Sequence, residues 1–155
     1  MDIIANINQR LSFDKDRVCY GGEDKIKKVL NESPVKLPND YIEFLRTISG
    51  GENVGVTFEV EEEGLDIYIW SAEVALEKRN REFNYPFNKK FLECSWLVGD
   101  DLGDLVYFYG EGNEGFGLYR GSVGGLDYNY ADKIANSLTE FLVNGVGIDI
   151  ATSLD

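Results

Sequence analysis

The residues best suited to do chemistry are three aspartates that lie close together in the chain, Asp100, Asp101 and Asp104. Carboxylate oxygens are the ligands that calcium and magnesium prefer, and Glu111 and Glu114 follow in what reads as the adjacent loop. The spacing is not that of an EF-hand loop, and aspartate beside glycine is also a common turn composition. We therefore favour a turn or an acidic patch that faces a partner. A carboxylate-only metal-dependent hydrolase is the enzymatic alternative.

Two further motifs resemble enzyme signatures but do not meet the requirements of those signatures. Residues 110–115 fit the pattern GxGxxG, but a dinucleotide site needs that pattern to lead from a strand into a helix, and residues 116–119 read as a strand. The serine within residues 121–124 lacks the GxSxG spacing, and the chain contains no histidine that could activate it. We expect no catalytic residue, no bound metal and no cofactor.

The charge of the chain excludes more functions than any motif does. Its 155 residues include 28 acidic and 15 basic ones, which give a formal net charge of −13. Affinity for nucleic acid comes largely from lysine and arginine on phosphates, so direct nucleic-acid binding is disfavoured, as is binding to an anionic membrane. Residues 40–77 and 91–155 each carry a net charge of −9, whereas residues 78–90 carry +4 and read as a solvated helix face.

The acidic side chains of the first predicted hairpin should line an exposed surface. Glu59 and Glu61 alternate with Phe58 and Val60, so the two carboxylates share the face opposite the apolar side chains. An acidic surface attracts basic partners and speeds their association. The candidate partner-binding residues are Glu59, Glu61, Glu62, Glu63, Asp66, Asp100, Asp101 and Asp104.

The length and the cysteines indicate a single cytoplasmic domain. About 150 residues bury enough surface to fold without a disulfide or a metal, and no linker or repeat divides residues 1–155. Residues 1–11 are too polar for a secretory signal, and no apolar stretch approaches the roughly 18 residues of a membrane-spanning helix. Cys19 and Cys94 show no paired spacing, which favours free thiols in a reducing cytoplasm.

Apolar side chains at helical spacing predict five helices. Pro38 suits the first turn of the third helix, and Gly50 and Gly51 end it. Ser71 is a suitable N-cap for the fourth helix, and Pro86 should end any continuation of it. The predicted helices span about 3–11, 23–31, 38–49, 71–83 and 134–142.

Between the third and the last helix, the pattern switches to the period of two that is typical of strands. Predicted strands cover 54–60, 65–70, 95–98, 105–109 and 116–119, and residues 126–130 are a candidate edge strand. Residues 99–104 and 110–115 have the composition of hairpin loops. This order predicts a single α+β domain. Its mainly antiparallel, twisted sheet of about five or six strands should carry N-terminal, mid-chain and C-terminal helices.

Five short motifs occur in the order found in one known family. They are the helix at 26–30, the run LPNDYIEFL at 37–45, the stop at 50–51, the Gly-Asp turn at 103–104 and the run SLTEFL at 137–142. In these motifs the chain resembles the SUKH superfamily, which includes the Smi/Knr-type yeast cell-wall regulators and many bacterial immunity proteins. Leu138 stands where an aromatic residue is common in that family. The resemblance implies structural roles for Leu37, Pro38, Tyr41, Leu45, Gly50, Gly51, Gly103, Phe141 and Leu142.

The resemblance also implies a protein-binding module without catalysis. In bacteria, such proteins are associated with polymorphic toxin systems, in which an immunity protein binds and blocks the toxin of its own cell. The toxins are often nucleases or deaminases. A nuclease must be basic where it meets phosphate, so an acidic partner would be steered to that surface and cover it. The leading hypothesis is therefore an immunity protein for a cognate toxin. The alternative is a regulatory scaffold linked to cell-wall synthesis.

Overall fold

The computed structural model describes residues 2–61 and 63–153, which form a curled antiparallel sheet with helices packed on it. The strands of this part of the chain are β1 Leu11–Phe13, β2 Gly55–Val60, β3 Leu65–Trp70, β4 Ser95–Asp100, β5 Leu105–Gly112, β6 Gly115–Ser122 and β7 Asp132–Ala135. The α-helices are α1 Glu23–Glu32, α2 Asn39–Ile48, α3 Ala72–Phe83, α4 Pro86–Leu92, α5 Leu138–Leu142 and α6 Ile148–Ala151. Short 3₁₀ helices cover Ile4–Asn6, Lys15–Arg17 and Tyr128–Tyr130. Within the described ranges, no helix combines the length and the apolar character that a membrane crossing requires.

The strand order in the sheet follows the order of the chain, from β1 to β7, and every neighbouring pair is antiparallel. The predicted α+β class and antiparallel sheet are therefore confirmed. The described residues form seven strands where the sequence predicts five or six. The two strands that the sequence analysis missed are β1 and β7, and each lies at an edge of the sheet.

The helix predicted over residues 3–11 is wrong. Strand β1 begins at the last residue of that segment. The structure has a 3₁₀ turn at Ile4–Asn6, after which the chain extends so that Leu11 pairs with Val60 of β2. Leu11 is buried in this position. Pairing with the sheet buries this apolar side chain and therefore outweighs the helical spacing of a short segment.

β7 replaces the first half of the helix expected over residues 134–142. Ile134 and Ala135 are buried, but they lie in a strand in which Ala135 pairs with Leu118 of β6. Helix α5 begins only after Ser137, whose hydroxyl accepts a hydrogen bond from the backbone N–H of Glu140 at 3.2 Å. A strand followed directly by a capped helix buries the same apolar residues as one long helix would, so the spacing alone does not separate the two.

One predicted strand is wrong, and one helix of the structure was not predicted. The candidate edge strand at residues 126–130 contains a 3₁₀ turn, because the Asp127 side chain accepts the backbone N–H of Asn129 at 2.8 Å and bends the chain. Helix α3 ends at Phe83 and does not continue through Pro86, as expected, but Pro86 begins the separate helix α4, which was not predicted; the first turn of a helix needs no N–H from proline.

The two predicted hairpin loops are shorter than the sequence indicates. Residues 99 and 100 belong to β4, since Gly99 pairs with Tyr107 and Asp100 with Val106. Most of residues 110–115 pair as well, because β5 and β6 remain in register out to Gly112. The strands therefore extend through these glycine-rich and acidic residues, and only tight turns remain between them.

Residues of the family motif form the contact between α2 and the sheet. The indole Nε1 of Trp96 donates to Tyr41 Oη at 2.9 Å, and the rings of Tyr41 and Tyr109 pack with centroids 5.7 Å apart. Tyr109 Oη accepts the backbone N–H of Leu138 at 2.8 Å, which ties α5 to the same cluster. Burial raises the pKa of Tyr41, so its hydroxyl stays neutral. The motif residues Leu37, Tyr41, Leu45, Phe141 and Leu142 are all buried, as a structural role requires.

Gly50 and Gly51 allow the segment after β1 to pass close to the end of α2. The backbone N–H of Gly50 donates to the carbonyl of Cys19 at 2.8 Å, and a Cβ at Gly50 would lie 2.3 Å from the carbonyl oxygen of Tyr20. Gly51 has a φ of +58°, which glycine adopts at low cost. Any larger side chain at position 50 would push these two segments apart.

The sheet is covered unevenly on its two faces. On one face, Phe44 of α2 packs against Phe58 and Phe141 of α5 packs against Tyr107. On the other face, Phe91 of α4 and the ring of Tyr128 cover β5 at Phe108, with centroids 4.9 Å and 5.6 Å away. On that second face β2 and β3 present mainly polar side chains.

Arg79 is an exception to the expectation that the basic segment is a solvated helix face. Its side chain is 5% exposed and donates to the carbonyls of Ser95 at 2.8 Å and Leu92 at 2.7 Å. Its guanidinium also packs over the Trp96 ring, 5.3 Å from the centroid. Arg79 therefore fastens α3 to the junction of α4 and β4, whereas Arg81 is exposed.

Candidate functional site

The second face of β1, β2 and β3 is the candidate site, and we call it the open face. Its accessible side chains are Ser12, Thr57, Glu59, Asp66 and Tyr68, whereas Trp70 at the end of β3 lies on the same face but is buried. The register places Ser12 opposite Glu59, and Glu59 opposite Asp66. Val56, Phe58, Ile67 and Ile69 alternate with these residues and are buried on the helix-covered face. The predicted exposure of Glu59 opposite the apolar side chains of β2 follows from this alternation.

Three of the eight candidate acidic residues share the open face. Glu59 and Asp66 lie directly opposite each other, and Asp100 at the end of β4 lies opposite Tyr68, two positions further along β3. Like charges that face each other across strands destabilise a sheet. In the described chain, no ion pair joins Glu59 or Asp66 to a lysine or arginine. We call Glu59, Asp66 and Asp100 the acidic row.

The other candidate residues that the structure describes lie in turns and do not join the acidic row. Glu61 and Glu63 are exposed in the turn between β2 and β3, and Glu62 falls outside the described residues. Asp101 and Asp104 lie in the turn between β4 and β5. The structure therefore divides the predicted surface into a row on the sheet and two flanking turns.

Asp100 and Asp101 also shape the turn between β4 and β5. Asp100 Oδ1 accepts the backbone N–H of Leu102 at 3.0 Å, and Asp101 Oδ1 accepts those of Gly103 at 2.8 Å and Leu105 at 3.2 Å. Burial is the main cause of a raised pKa of Asp100, and the charge of Asp101 adds to it. The hydrogen bond from Leu102 and the charges of Lys78 and Arg81 partly oppose this rise. The turn predicted from the sequence is therefore present, and hydrogen bonds to these two carboxylates stabilise it.

The geometry offers no support for the metal-dependent hydrolase. Among residues 2–61 and 63–153, no three aspartate, glutamate or cysteine side chains gather as metal ligands would. Asp100 and Asp101 each direct an oxygen at backbone N–H groups, which is the arrangement of a turn. Glu111 lies on β5 and Glu114 in the turn after it. Residues 110–115 lead from strand to strand, so the GxGxxG pattern lacks the helix that a dinucleotide site needs.

The turn between β4 and β5 exposes an apolar side chain that the sequence analysis did not single out. Leu102 is 59% exposed, and at φ +65° it is the one non-glycine residue of the described chain with a positive φ. It lines a shallow concavity of about 600 Å³ together with Val54, Tyr68 and Arg17. The Tyr68 hydroxyl donates to the carbonyl of Val54 at 3.3 Å. The feature of the sequence that could have identified Leu102 is an apolar residue placed among the aspartates and glycine of a predicted turn.

A second concavity, of about 660 Å³, lies along the segment between α1 and α2, and we call it the motif groove. Leu37 of the family motif lines it, together with Cys94, Glu111 and Phe116. Cys94 and Cys19 are both free thiols, as their spacing predicts. The segment expected to be structural therefore also forms a wall of a groove that is mainly apolar and carries carboxylates at its rim.

The fold and the positions of the motifs agree with a class of small α+β protein-interaction domains. The model of the SMI1 / KNR4 family (SUKH-1) matches residues 22–144, which extend from the glycine before α1 to just past α5. The chain therefore belongs to the SMI1 / KNR4 family. Among curated proteins, none matches the chain. Membership supports a protein–protein interaction module, either of the SUKH immunity type or of the Smi1/Knr4 type.

Proposed function

We propose that this chain is an immunity protein that binds a cognate bacterial toxin in the cytoplasm and neutralises it by stoichiometric binding, without catalysis. The observation that carries the proposal is the acidic row on a sheet face that no helix covers at Glu59 and Asp66, both within the described residues. Folding alone gains nothing from two carboxylates placed opposite each other. Binding to a basic partner would compensate these charges.

The sign of the open face suits a toxin that acts on nucleic acid. Such a toxin needs a basic surface for its substrate, so an acidic inhibitor would be attracted to that surface and would cover it. Attraction between extended patches of opposite charge raises the association rate and makes it sensitive to salt. We therefore expect fast association that slows as the salt concentration rises.

The first prediction concerns the double variant Glu59→Lys/Asp66→Lys. It keeps a like-charge pair in the sheet, so the folded protein should retain its stability while the sign of the open face reverses. We expect its association with the product of the gene immediately upstream, prepared in an inactive form, to slow by about tenfold or more. Surface plasmon resonance measures the rate, and survival on co-expression measures protection.

The matched control is Glu93→Lys/Glu111→Lys, which changes the net charge equally at two exposed positions on the rim of the motif groove. It should associate within about twofold of the wild-type rate, because long-range steering acts through the surface that docks. Equal slowing of both variants would assign the effect to net charge. Full protection by the open-face variant would show that the toxin binds elsewhere.

A regulatory scaffold of the Smi1/Knr4 type is the second candidate function, and the motif groove is the observation that favours it. The groove is mainly apolar, and the family motif itself forms one wall. Inhibition of the upstream gene product by the wild-type chain would support immunity. Absence of inhibition, together with a cell-wall defect on deletion that the Glu93→Lys/Glu111→Lys variant cannot rescue, would support regulation.

A further inference from the structure

Leu102 is an exposed apolar residue in a backbone conformation that glycine usually occupies. A side chain at φ +65° contacts its own backbone unfavourably, which is why glycine is the usual residue there. Burial of the side chain could offset this cost, but Leu102 is 59% exposed. Gly103, the next residue, shows that glycine is accepted in this turn. Backbone strain of this kind clusters at binding sites.

The turn around Leu102 is held in one shape by several hydrogen bonds. The carboxylate of Asp100 accepts a hydrogen bond from the backbone N–H of Leu102. The carboxylate of Asp101 accepts hydrogen bonds from the backbone N–H groups of Gly103 and Leu105. The backbone N–H of Asp101 also donates to the carbonyl of Leu105 at 3.1 Å. A side chain presented by an ordered turn loses little conformational entropy when it binds.

The surroundings of Leu102 have the composition of an interface centre with a charged rim. Val54, which is 48% exposed, and the ring of Tyr68 line the same concavity of about 600 Å³ as Leu102. Asp14 and Glu59 line it too, and Arg17 is the cation of its wall. Asp101 and Asp104 flank Leu102 in the turn, Asp100 ends β4 just before it, and Asp66 lies two positions before Tyr68 on β3. An apolar centre ringed by charge is the usual anatomy of a protein interface.

We infer that Leu102 is the apolar anchor of the open face, and that it inserts into an apolar pocket bordered by lysine and arginine on the partner protein. The acidic rim selects this occupant, because carboxylates on several sides of Leu102 repel phosphates and acidic proteins and attract basic ones. This inference rests on the proposed function, since it names the residue that makes the main apolar contact with the toxin. The acidic row raises the association rate of the partner, and Leu102 lowers its dissociation rate.

The test uses Leu102→Gly and Leu102→Asn in the full chain, with the inactive upstream gene product as the probe. Both replacements tolerate a positive φ, so the melting temperature should stay equal or rise. We expect Kd for the probe to rise by about tenfold or more, mainly through faster dissociation. The salt dependence of association should be unchanged. Leu30→Ala, at a 49% exposed position of α1, is the matched control and should bind like wild type.

The outcomes separate this inference from the proposed function. If both Leu102 variants bind the probe as tightly as the wild type does, Leu102 is not the anchor. The proposed immunity function is unaffected by that result. Weakened binding by Leu102→Gly at an undiminished melting temperature supports the anchor. Failure of the wild-type chain to bind the probe overturns the proposed function and the anchor together.

Discussion

Asp100 serves two purposes at the residue scale that oppose each other. Its carboxylate accepts the N–H of Leu102 and so holds the turn, but it is half-buried on the open face beside the ring of Tyr68. Burial raises the pKa of Asp100, which means that the folded protein prefers its neutral form more than the unfolded chain does. Ionised Asp100 therefore reduces the free energy of unfolding at neutral pH.

The pH dependence of Asp100→Asn tests this account. The amide keeps an oxygen for the N–H of Leu102 and cannot ionise. As the pH rises from the usual pKa of an aspartate through the raised pKa of Asp100, the wild-type protein loses stability that the variant keeps. The variant should melt at a higher temperature than wild type at pH 7, and the difference should shrink as the pH falls toward about 4.

Asp104→Asn is the control for Asp100→Asn, because it removes one charge from an exposed position of the same turn. Differential scanning fluorimetry across this pH range measures both variants. A melting temperature of Asp100→Asn at or below that of wild type at pH 7 would contradict a net cost of ionised Asp100.

Sequence patterns identify residue types at this scale more readily than their roles. Arg79 and Arg81 occur in the same basic run, but Arg79 is buried against carbonyls and Arg81 faces solvent, because only one of them points between α3 and β4. Glu59 was correctly placed on an exposed face, since strand alternation decides it locally. Leu102 was missed, because its φ and exposure depend on the hydrogen bonds of the folded turn.

At the scale of elements, one carboxylate joins two helices that are distant in the chain. Asp40 Oδ2, in the first turn of α2, accepts the backbone N–H of Thr139 at 2.9 Å and its hydroxyl at 2.7 Å. Thr139 lies in the first turn of α5, where backbone N–H groups lack partners within the helix. Asp40 therefore supplies part of the cap of a short helix that would be unstable alone.

Asp40→Ala should lower the free energy of unfolding by about 2 kcal/mol, because it leaves the N–H and the hydroxyl of Thr139 without their partner. Amides of residues 138–142 should exchange faster than in the wild type, since α5 loses its connection to α2. Urea denaturation measures the first effect, and hydrogen exchange measures the second.

Asp24→Ala is the matched control, since Asp24 is exposed in the first turn of α1. It should cost about 0.5 kcal/mol through the helix dipole alone. An Asp40→Ala protein as stable as this control would show that the contact between α2 and α5 contributes little.

Elements with clear end signals were predictable, and elements defined by long-range pairing were not. Ser71 caps α3 by accepting the N–H of Val74, and the helix ends at Phe83 as expected. β7 was read as helix because its pairing with β6 is a tertiary contact that leaves no local signal. Local chemistry therefore predicted the α+β class and most strands, and packing decided the edges.

At the scale of the whole molecule, the net charge of −13 bears on stability. The described ion pairs lie mostly at exposed positions, as between Arg46 and Glu23 and between Arg10 and Asp149. Pairs of this kind contribute little, whereas a large excess of one charge sign destabilises the compact state.

We therefore expect the melting temperature to rise as sodium chloride increases from about 20 mM to about 300 mM, because salt screens the mutual repulsion of the carboxylates more than it weakens the ion pairs. Calorimetry at pH 7 measures the effect. The Glu59→Lys/Asp66→Lys variant, with a smaller net charge, should show a smaller rise. A melting temperature that falls with salt would mean that the ion pairs dominate.

The arrangement of strands in chain order has a consequence for synthesis. Each strand pairs with the strand made just before it, apart from the helices inserted between them, so the sheet can be extended as the chain emerges from the ribosome. The strands that carry the open face and the residues of the Leu102 turn precede nearly all of β5 and the whole of β6 and β7 in the chain. The surface assigned to the partner under the proposed function is therefore synthesised before the far half of the sheet.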